Sequence, residues 1–295
     1  MENKFSLKFK YAFMMLFVLA LNPFSPSVKA SNPSPLIKLI SEKNYFSCWN
    51  GEDAETKILT YLTDMYNNEH KPTPEEIAEK AREIGFNYSI LGNNYLATYY
   101  YSYAVQLVPK NADYHLDLAL ELWSTGKTDQ AKDQFEIGYK LDPSNSSLLK
   151  MYGHFNFSQN KFTEAIELYN KSLKCSDSEH NSNYEYIMKH IAQLLISQTK
   201  KSTKIISENQ EWPYQIVQCI NGEIDEAKLA KYIKDQNDED LIREQLCEAL
   251  YYLGYYKVAI GDILNGELMI KQCLNTRLPA FIEYNLALNH VLKNK

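Results

Sequence analysis

Small and large apolar positions recur along this chain at a fixed register of 34 residues. Ala81, Ile84, Gly85, Tyr88, Gly92, Ala97, Tyr101, Ala104 and Pro109 form one set. His115, Leu118, Ala119, Leu122, Gly126, Ala131, Phe135, Gly138 and Pro143 form the next, and Leu149, Tyr152, Gly153, Asn156, Asn160, Ala165, Tyr169, Ser172 and Asp177 a third. Spacings of three and four within each set predict a pair of amphipathic helices per unit. Gly85, Ala119 and Gly153 fall midway along the first helix, and Ala97, Ala131 and Ala165 early in the second. Helices approach to about 8–10 Å only where the contacting residues are small. Gly92 and Gly126 stand where the first helix must end and the chain reverse, a place that favours positive φ. Tyr101, Phe135 and Tyr169 are expected to wedge a large ring into the following unit, and Pro109 and Pro143 to stop the second helix.

This period and pattern are those of tetratricopeptide (TPR) repeats. The expected fold is all-α, a TPR helical-hairpin solenoid over residues 53–295, with repeats at about 78–111, 112–145 and 146–179. A weaker copy at 247–280 contains Leu250, Leu253, Gly254, Gly261, Gly266, Ile270 and Cys273, with Gly266 in place of the usual Ala. Between them lies a degenerate middle repeat, 183–222. Asn183–Glu208 reads there as a helical stretch without the signature, and Trp212-Pro213 opens a helix through Ile216, Val217 and Ile220 that Gly222 stops. Ala54–Asn68 is an extra amphipathic helix ahead of the first repeat, as the end of a solenoid requires.

The N-terminus bears on location. Lys4, Lys8 and Lys10 precede the apolar run Tyr11–Leu21, and Val28-Lys29-Ala30 supplies small residues for cleavage. Residues 1–30 therefore read as a signal peptide cut after Ala30, the apolar run being well short of the ~20 residues that span a bilayer. Residues 31–52, with Pro33 and Pro35, are expected as a flexible segment. Removing 1–30 takes away four lysines and one glutamate, leaving 27 basic against 36 acidic side chains and a net charge of −9. That balance argues against nucleic acid or an anionic membrane surface as the main partner. Periplasm and extracellular release both remain open, as does membrane tethering.

Catalytic signatures are missing from the sequence: there is no GxSxG, HExxH, P-loop or GxGxxG. His70, His115, His154, His180, His190 and His290 are scattered, with no pair at metal-ligand spacing on one helical face. Asp235–Asp240 lacks the glycine and closing glutamate of a calcium loop; Asn237 or Asp238 is expected instead to cap a helix starting near Leu241. Cys48, Cys175, Cys219, Cys247 and Cys273 show no CxxC spacing, and their odd number leaves at least one unpaired. Cys247 and Cys273 fit buried thiols or a disulfide equally, and across all five the small-hydrophobe reading is preferred. The chain is expected to be no enzyme and to hold no cofactor or metal.

A TPR stack offers a groove lined by its first helices. The groove-facing positions are Glu79, Arg82, Phe86 and Ser89; Asp113, Leu116, Leu120 and Trp123; and Ser147, Lys150, His154 and Phe157. Repeats that clamp a C-terminal carboxylate place Lys and Asn at set positions, and Phe86 stands at one such Asn position. An aromatic, apolar trough results, with Arg82, Phe86, Leu116, Leu120, Trp123, Lys150, His154 and Phe157 as the candidate protein-binding residues. Packing of the same residues against the N-terminal helix or a second subunit is the alternative.

The order of parts resembles the NlpI-type TPR lipoproteins of the Gram-negative cell envelope, from about Ala54 to Val291. The most specific portion comprises Trp212–Gly222 with Ile216-Val217, the short helix Ile224–Ile233, and Leu246–Asp262 with Tyr252-Leu253-Gly254-Tyr255-Tyr256 and Gly261-Asp262. The resemblance implies a periplasm-facing homodimer, an adaptor that brings peptidoglycan endopeptidases to a tail-specific protease. The chain departs from the family in having no lipid-accepting cysteine before Cys48. An alternative is a secreted TPR interaction protein acting on an unrelated partner.

Overall fold

A computed structural model of the protein describes residues 34–43, 51–66, 72–175, 182–197 and 203–293, with side chains from Asp53 onward in the second stretch. The expected signal segment with its cleavage point at Ala30, and Cys48, His70 and His180, lie outside the described residues. Among the described residues every regular element is helical. After α1 (Pro35–Lys43) and α2 (Gly51–Tyr66) come three consecutive hairpins. They are α3 (Pro74–Ile90) with α4 (Asn94–Leu107), α5 (Ala112–Ser124) with α6 (Thr128–Leu141), and α7 (Ser146–Ser158) with α8 (Phe162–Cys175). The all-α hairpin solenoid expected from the 34-residue register is the fold that forms.

Local chemistry sets the ends of these helices. At the start of α3 the Glu76 N–H donates to Thr73 Oγ1 and the Thr73 N–H donates to Glu76 Oε2, a reciprocal cap that satisfies two otherwise unpaired donors. Asn111 and Asn145 cap α5 and α7 through their side-chain oxygens. Each hairpin turn needs one left-handed residue, supplied by Gly92 (φ 69°), Gly126 (φ 76°) and, in the third unit, Asn160 (φ 60°). Asn tolerates that region because its short polar side chain bonds locally.

The pairing of small and large residues is tighter than a shared face requires. A Cβ placed on Gly153 would lie 2.6 Å from the Tyr169 ring, and one on Gly85 3.1 Å from the Tyr101 ring. Tyr101 and Tyr169 therefore pack across their own hairpins, Tyr101 also bordering a cavity with Asp117, Leu120 and Glu121 of the next unit, and Phe135 reaches into the unit that follows it. It stacks on Tyr152 with ring centroids 5.3 Å apart.

Beyond α8 the regular array stops. α9 (Asn183–Ile196) is a single helix, followed after the undescribed 198–202 by a non-helical run, 203–213. The expected helix through Glu208 does not continue there. Asn221 instead clasps the backbone of Ile205 on both sides, accepting from its N–H at 2.8 Å and donating to its carbonyl at 2.9 Å. Asn183 donates to the carbonyl oxygens of Asn209 and Glu211. These side chains supply the partners a helix would otherwise have provided.

The chain then forms α10 (Tyr214–Ile220), α11 (Glu226–Lys234) and the long α12 (Glu239–Ile260). α13 (Ile263–Cys273) follows, then a 3-10 turn at Leu274–Thr276 and α14 (Ile282–Lys293). Asp238 caps α12 by accepting from the Asp240 and Leu241 N–H groups, so this helix begins two residues before Leu241. α12 and α13 form a fourth hairpin around Gly261 (φ 98°).

Residues 35–43 differ from the flexible segment expected of them. Leu36, Leu39 and Ile40 are buried, a three-four stripe that seats α1 on α11, α12 and α13. Lys43 Nζ lies 2.8 Å from Glu239, and Ser34 Oγ donates to the Glu226 carboxylate. The N-terminal helix thus braces the C-terminal half of the solenoid.

Candidate functional site

The concave side is lined by α3, α5 and α7, which carry all eight candidate residues. The structure divides these into two groups. Leu116 (7% exposed), Trp123 (2%) and Phe157 (2%) are core side chains that line no part of the cleft described below, and His154 (2%) is as deeply buried but borders its larger cavity. Arg82, Leu120 and Lys150 are half-buried, and Phe86 is 47% exposed. The aromatic trough expected from the sequence is therefore largely filled.

It is filled by this chain's own C-terminal elements rather than by the N-terminal helix. Phe157 meets the Tyr255 ring edge to face at 5.3 Å. Tyr255 in turn hydrogen-bonds His290 Nδ1 across 3.0 Å, and His290 Nε2 lies 2.8 Å from Glu267. Asn289 Nδ2 donates to the Trp123 carbonyl at 3.1 Å, while Lys293 Nζ reaches the Ser158 carbonyl at 3.3 Å. α14 thereby brings a donor and a cation to the carboxyl ends of α5 and α7, where carbonyl groups lack helical partners and the helix dipole is negative. His154 sits behind this layer with Nδ1 3.0 Å from the Tyr169 hydroxyl. Burial depresses it to about 3, so it is a neutral core ring.

Between the concave wall and the segment 279–285 a cleft remains, made of two adjoining cavities that share Leu120, Ala280 and Ile282. The larger, about 330 Å³, is walled by Met151, Phe281 and Tyr252, with Lys150 among its lining. Lys150 Nζ stands over the Tyr184 ring at 5.5 Å. Two carboxyl groups also border this cavity. Glu248 accepts from the Tyr184 hydroxyl and from Trp212 Nε1, and Glu283 accepts from the Tyr252 hydroxyl at 2.6 Å. Burial, then the neighbouring Glu283 carboxyl, raises Glu248 to about 8. Glu283 is raised by burial as well.

The smaller cavity, about 160 Å³, is acidic. Asp117 and Glu121, one turn apart on α5, border it together with Phe86, Ser89 and Ser124. Arg82 Nε donates to Asp117 Oδ2 at 2.5 Å while its Nη1 lies 3.2 Å from Glu79, so this cation is shared between carboxyl groups of α5 and α3. Burial lifts Asp117 to about 6 even with Arg82 beside it, and raises Glu121 against the Ser89 hydrogen bond.

Of the eight residues the sequence placed at this groove, the structure brings Phe86, Leu120, Lys150 and His154 to the cleft walls, while Arg82 stands beside it, paired with Asp117. Sequence reasoning missed Glu121, Glu248, Phe281, Ile282 and Glu283. The acids Asp117 and Glu121 could have been read as a four-residue pair flanking Leu120; the others arrive from more than a hundred residues away and carry no local signal. Among the described residues no His, Cys, Asp or Glu cluster is placed to hold a metal ion, and no helix is long and apolar enough to cross a membrane. Cys247 and Cys273 are free buried thiols with Sγ atoms 3.3 Å apart. Cys175 is exposed, unlike the small buried hydrophobe expected of it, and Cys219 is half-buried, its thiol pushed up to about 12 by burial.

What the fold and cleft define is a class: an all-α solenoid of helical hairpins whose concave side carries a partly filled cleft. No protein-family model matches the sequence. The chain is similar in structure to YrrB, described as a TPR protein with an unusual peptide-binding site. That likeness has 14% identity, a TM-score of 0.37, and covers 79% of this chain and 97% of the other.

Proposed function

We propose that this protein is a non-enzymatic adaptor that holds partner proteins in the cleft between the concave wall and residues 279–285. The observation that carries this reading is the cleft itself. It has apolar walls, an exposed aromatic at one end in Phe86, and side chains of both charge signs in Lys150 and Asp117. Apolar anchorage inside a charged rim is what a protein interface needs.

More specifically, the adaptor works in the periplasm and links a tail-specific protease to peptidoglycan endopeptidases, the role implied by the NlpI-type resemblance of Trp212–Gly222 and Leu246–Asp262. It acts there as a homodimer. The α13 face bearing Ile263 (57% exposed), Leu264 (72%) and Leu268 (40%) supports self-association, since contiguous apolar side chains at helical spacing favour a covering surface.

The test is degradation of a murein endopeptidase by the protease with and without the purified protein. Acceleration, with no cleavage by the protein alone, is expected. Unchanged degradation, or recovery of a tagged chain only from culture medium, would remove the adaptor role. Light scattering of wild type and Leu264→Asp tests the dimer: a wild-type monomer, or a dimer unaffected by the substitution, would exclude this face.

A further inference from the structure

We propose that the acidic end of the cleft is a subsite for the ammonium group of a lysine side chain carried on an extended segment of the partner. This rests on the protein-binding reading above and specifies what that binding selects.

The sign of the charge comes first. Asp117 and Glu121 both border the smaller cavity, and no Lys or Arg is among the described residues that line it. Arg82 touches Asp117 from the flank and is already shared with Glu79. An anion brought here would meet two carboxyl groups, whereas a cation would find those carboxyl groups as acceptors.

Glu121 supplies the second, independent observation. Its residue is 4% exposed, Oε2 accepts a hydrogen bond from Ser89 Oγ, and Oε1 has no hydrogen-bond partner. Buried carboxylate oxygens are almost always paired in native proteins, and one left over beside a cavity marks the place of a missing donor. Among the described residues, Gln215 and Gln245 also have unpaired side-chain oxygens, but these are amides and line neither of the two cavities of the cleft.

The shape of the cavity then favours lysine. Leu120, Pro279, Ala280 and Ile282 make apolar walls that suit a four-carbon stem, with the charge delivered at the acidic end. An ammonium offers three donors to acceptors that diverge, as Glu121, Asp117 and Ser124 do here. Phe86 at the mouth gives the partner's backbone an apolar platform. The raised positions of Asp117 and Glu121 agree with this geometry, because an arriving cation offsets the cost of their burial.

The test uses the whole protein with methyl-labelled Leu and Ile, read by NMR at Leu120 and Ile282. Acetyl-Ala-Ala-Lys-Ala-Ala-amide is titrated beside the same peptide carrying norleucine for lysine. The lysine peptide should produce saturable shifts at both methyl sites and bind about ten-fold more tightly than its uncharged twin, the magnitude of one charge-assisted contact. Glu121→Gln should abolish that preference while helicity by circular dichroism is unchanged. Asp117→Asn is the second variant should the first not fold. Equal responses to the two peptides, no saturable shift up to about 10 mM, or a lysine preference surviving both substitutions would overturn the subsite. A partner captured by wild type without any lysine preference sinks the subsite alone. A lysine preference in a protein that captures no partner sinks the adaptor reading alone.

Discussion

A Cβ on Gly266 would lie 2.6 Å from the carbonyl oxygen of Gly254, so α12 and α13 touch backbone to backbone at this crossing. The same carbon would meet the Val258 side chain at 2.7 Å. Gly266 is the position where the repeat pattern ordinarily has Ala. The apparent weakening of the fourth copy is therefore a closer approach of its two helices. Gly266→Ala gains roughly 1 kcal/mol in helix propensity but forces rigid backbone apart. The overpacking should cost about 1–3 kcal/mol and give a net loss. Urea unfolding checks the sign: a midpoint equal to or above wild type would show that the crossing has slack.

Two aromatic residues of the trough make a contrasting pair. Trp123 is 2% exposed and carries Phe135 and Phe155 against its ring, so Trp123→Ala should cost roughly 3–5 kcal/mol of stability. Phe86, with 47% of its surface exposed, should change stability by less than about 0.5 kcal/mol on replacement by Ala. If the cleft binds a partner, Phe86→Ala should nonetheless weaken that binding by about ten-fold. Calorimetric melting and isothermal titration with a captured partner measure the two effects separately. A destabilised Phe86→Ala, or one of unaltered affinity, would remove Phe86 from the site.

How far the sequence disclosed this arrangement depends on the range of the contacts. The hairpins were legible because Gly85 against Tyr101 and Gly153 against Tyr169 are short-range pairs that repeat at one register. The contact of Asn289 with Trp123 spans 166 residues and occurs once, so no periodicity announces it. That is why Leu116, Trp123 and Phe157 read as groove residues: the pattern gives the direction in which they point but not what covers them. α1 escaped notice for a similar reason. Its stripe of Leu36, Leu39 and Ile40 is brief and lies behind prolines that suggest a tether, while its docking site on α11–α13 is about two hundred residues away. The acidic end of the cleft was half-visible, since Asp117 and Glu121 are local but Ile282 is not.

Asn160 tests the turn chemistry in the third hairpin. It holds φ at 60° where the first two hairpins have glycine. Asn160→Ala should lose roughly 1 kcal/mol, because a Cβ without a bonding side chain is disfavoured in the left-handed region. Asn160→Gly should be neutral or slightly stabilising. The difference between the two variants in thermal melting isolates the backbone term. Equal stabilities would mean that the turn relaxes out of this conformation.

Glu248 should set how stability changes with pH on the alkaline side. Its carboxyl is raised from 4.5 to about 8 in the fold, so above 4.5 the unfolded chain loses a proton that the folded chain keeps. The unfolded state then binds fewer protons, and stability must fall as pH rises through this window, levelling off above about 8. His154 works in the opposite sense: depressed from 6.5 to about 3, it makes stability fall as pH drops between those values. Asp117, raised to about 6, has the sign of Glu248 but finishes titrating in the fold at lower pH. Between pH 6.5 and 8 the contributions of both fade toward zero, and Glu248 contributes a loss of up to about 1.4 kcal/mol per pH unit. Glu248→Gln keeps an acceptor for Trp212 Nε1 and cannot ionise, so its stability should be flatter by up to that slope. Urea midpoints at pH 6.5, 7.2 and 8.0, values chosen to span about one proton's titration, provide the measurement. Parallel curves for the two proteins would mean that Glu248 is already ionised in the fold, with Tyr184 and Trp212 holding a buried carboxylate rather than an acid.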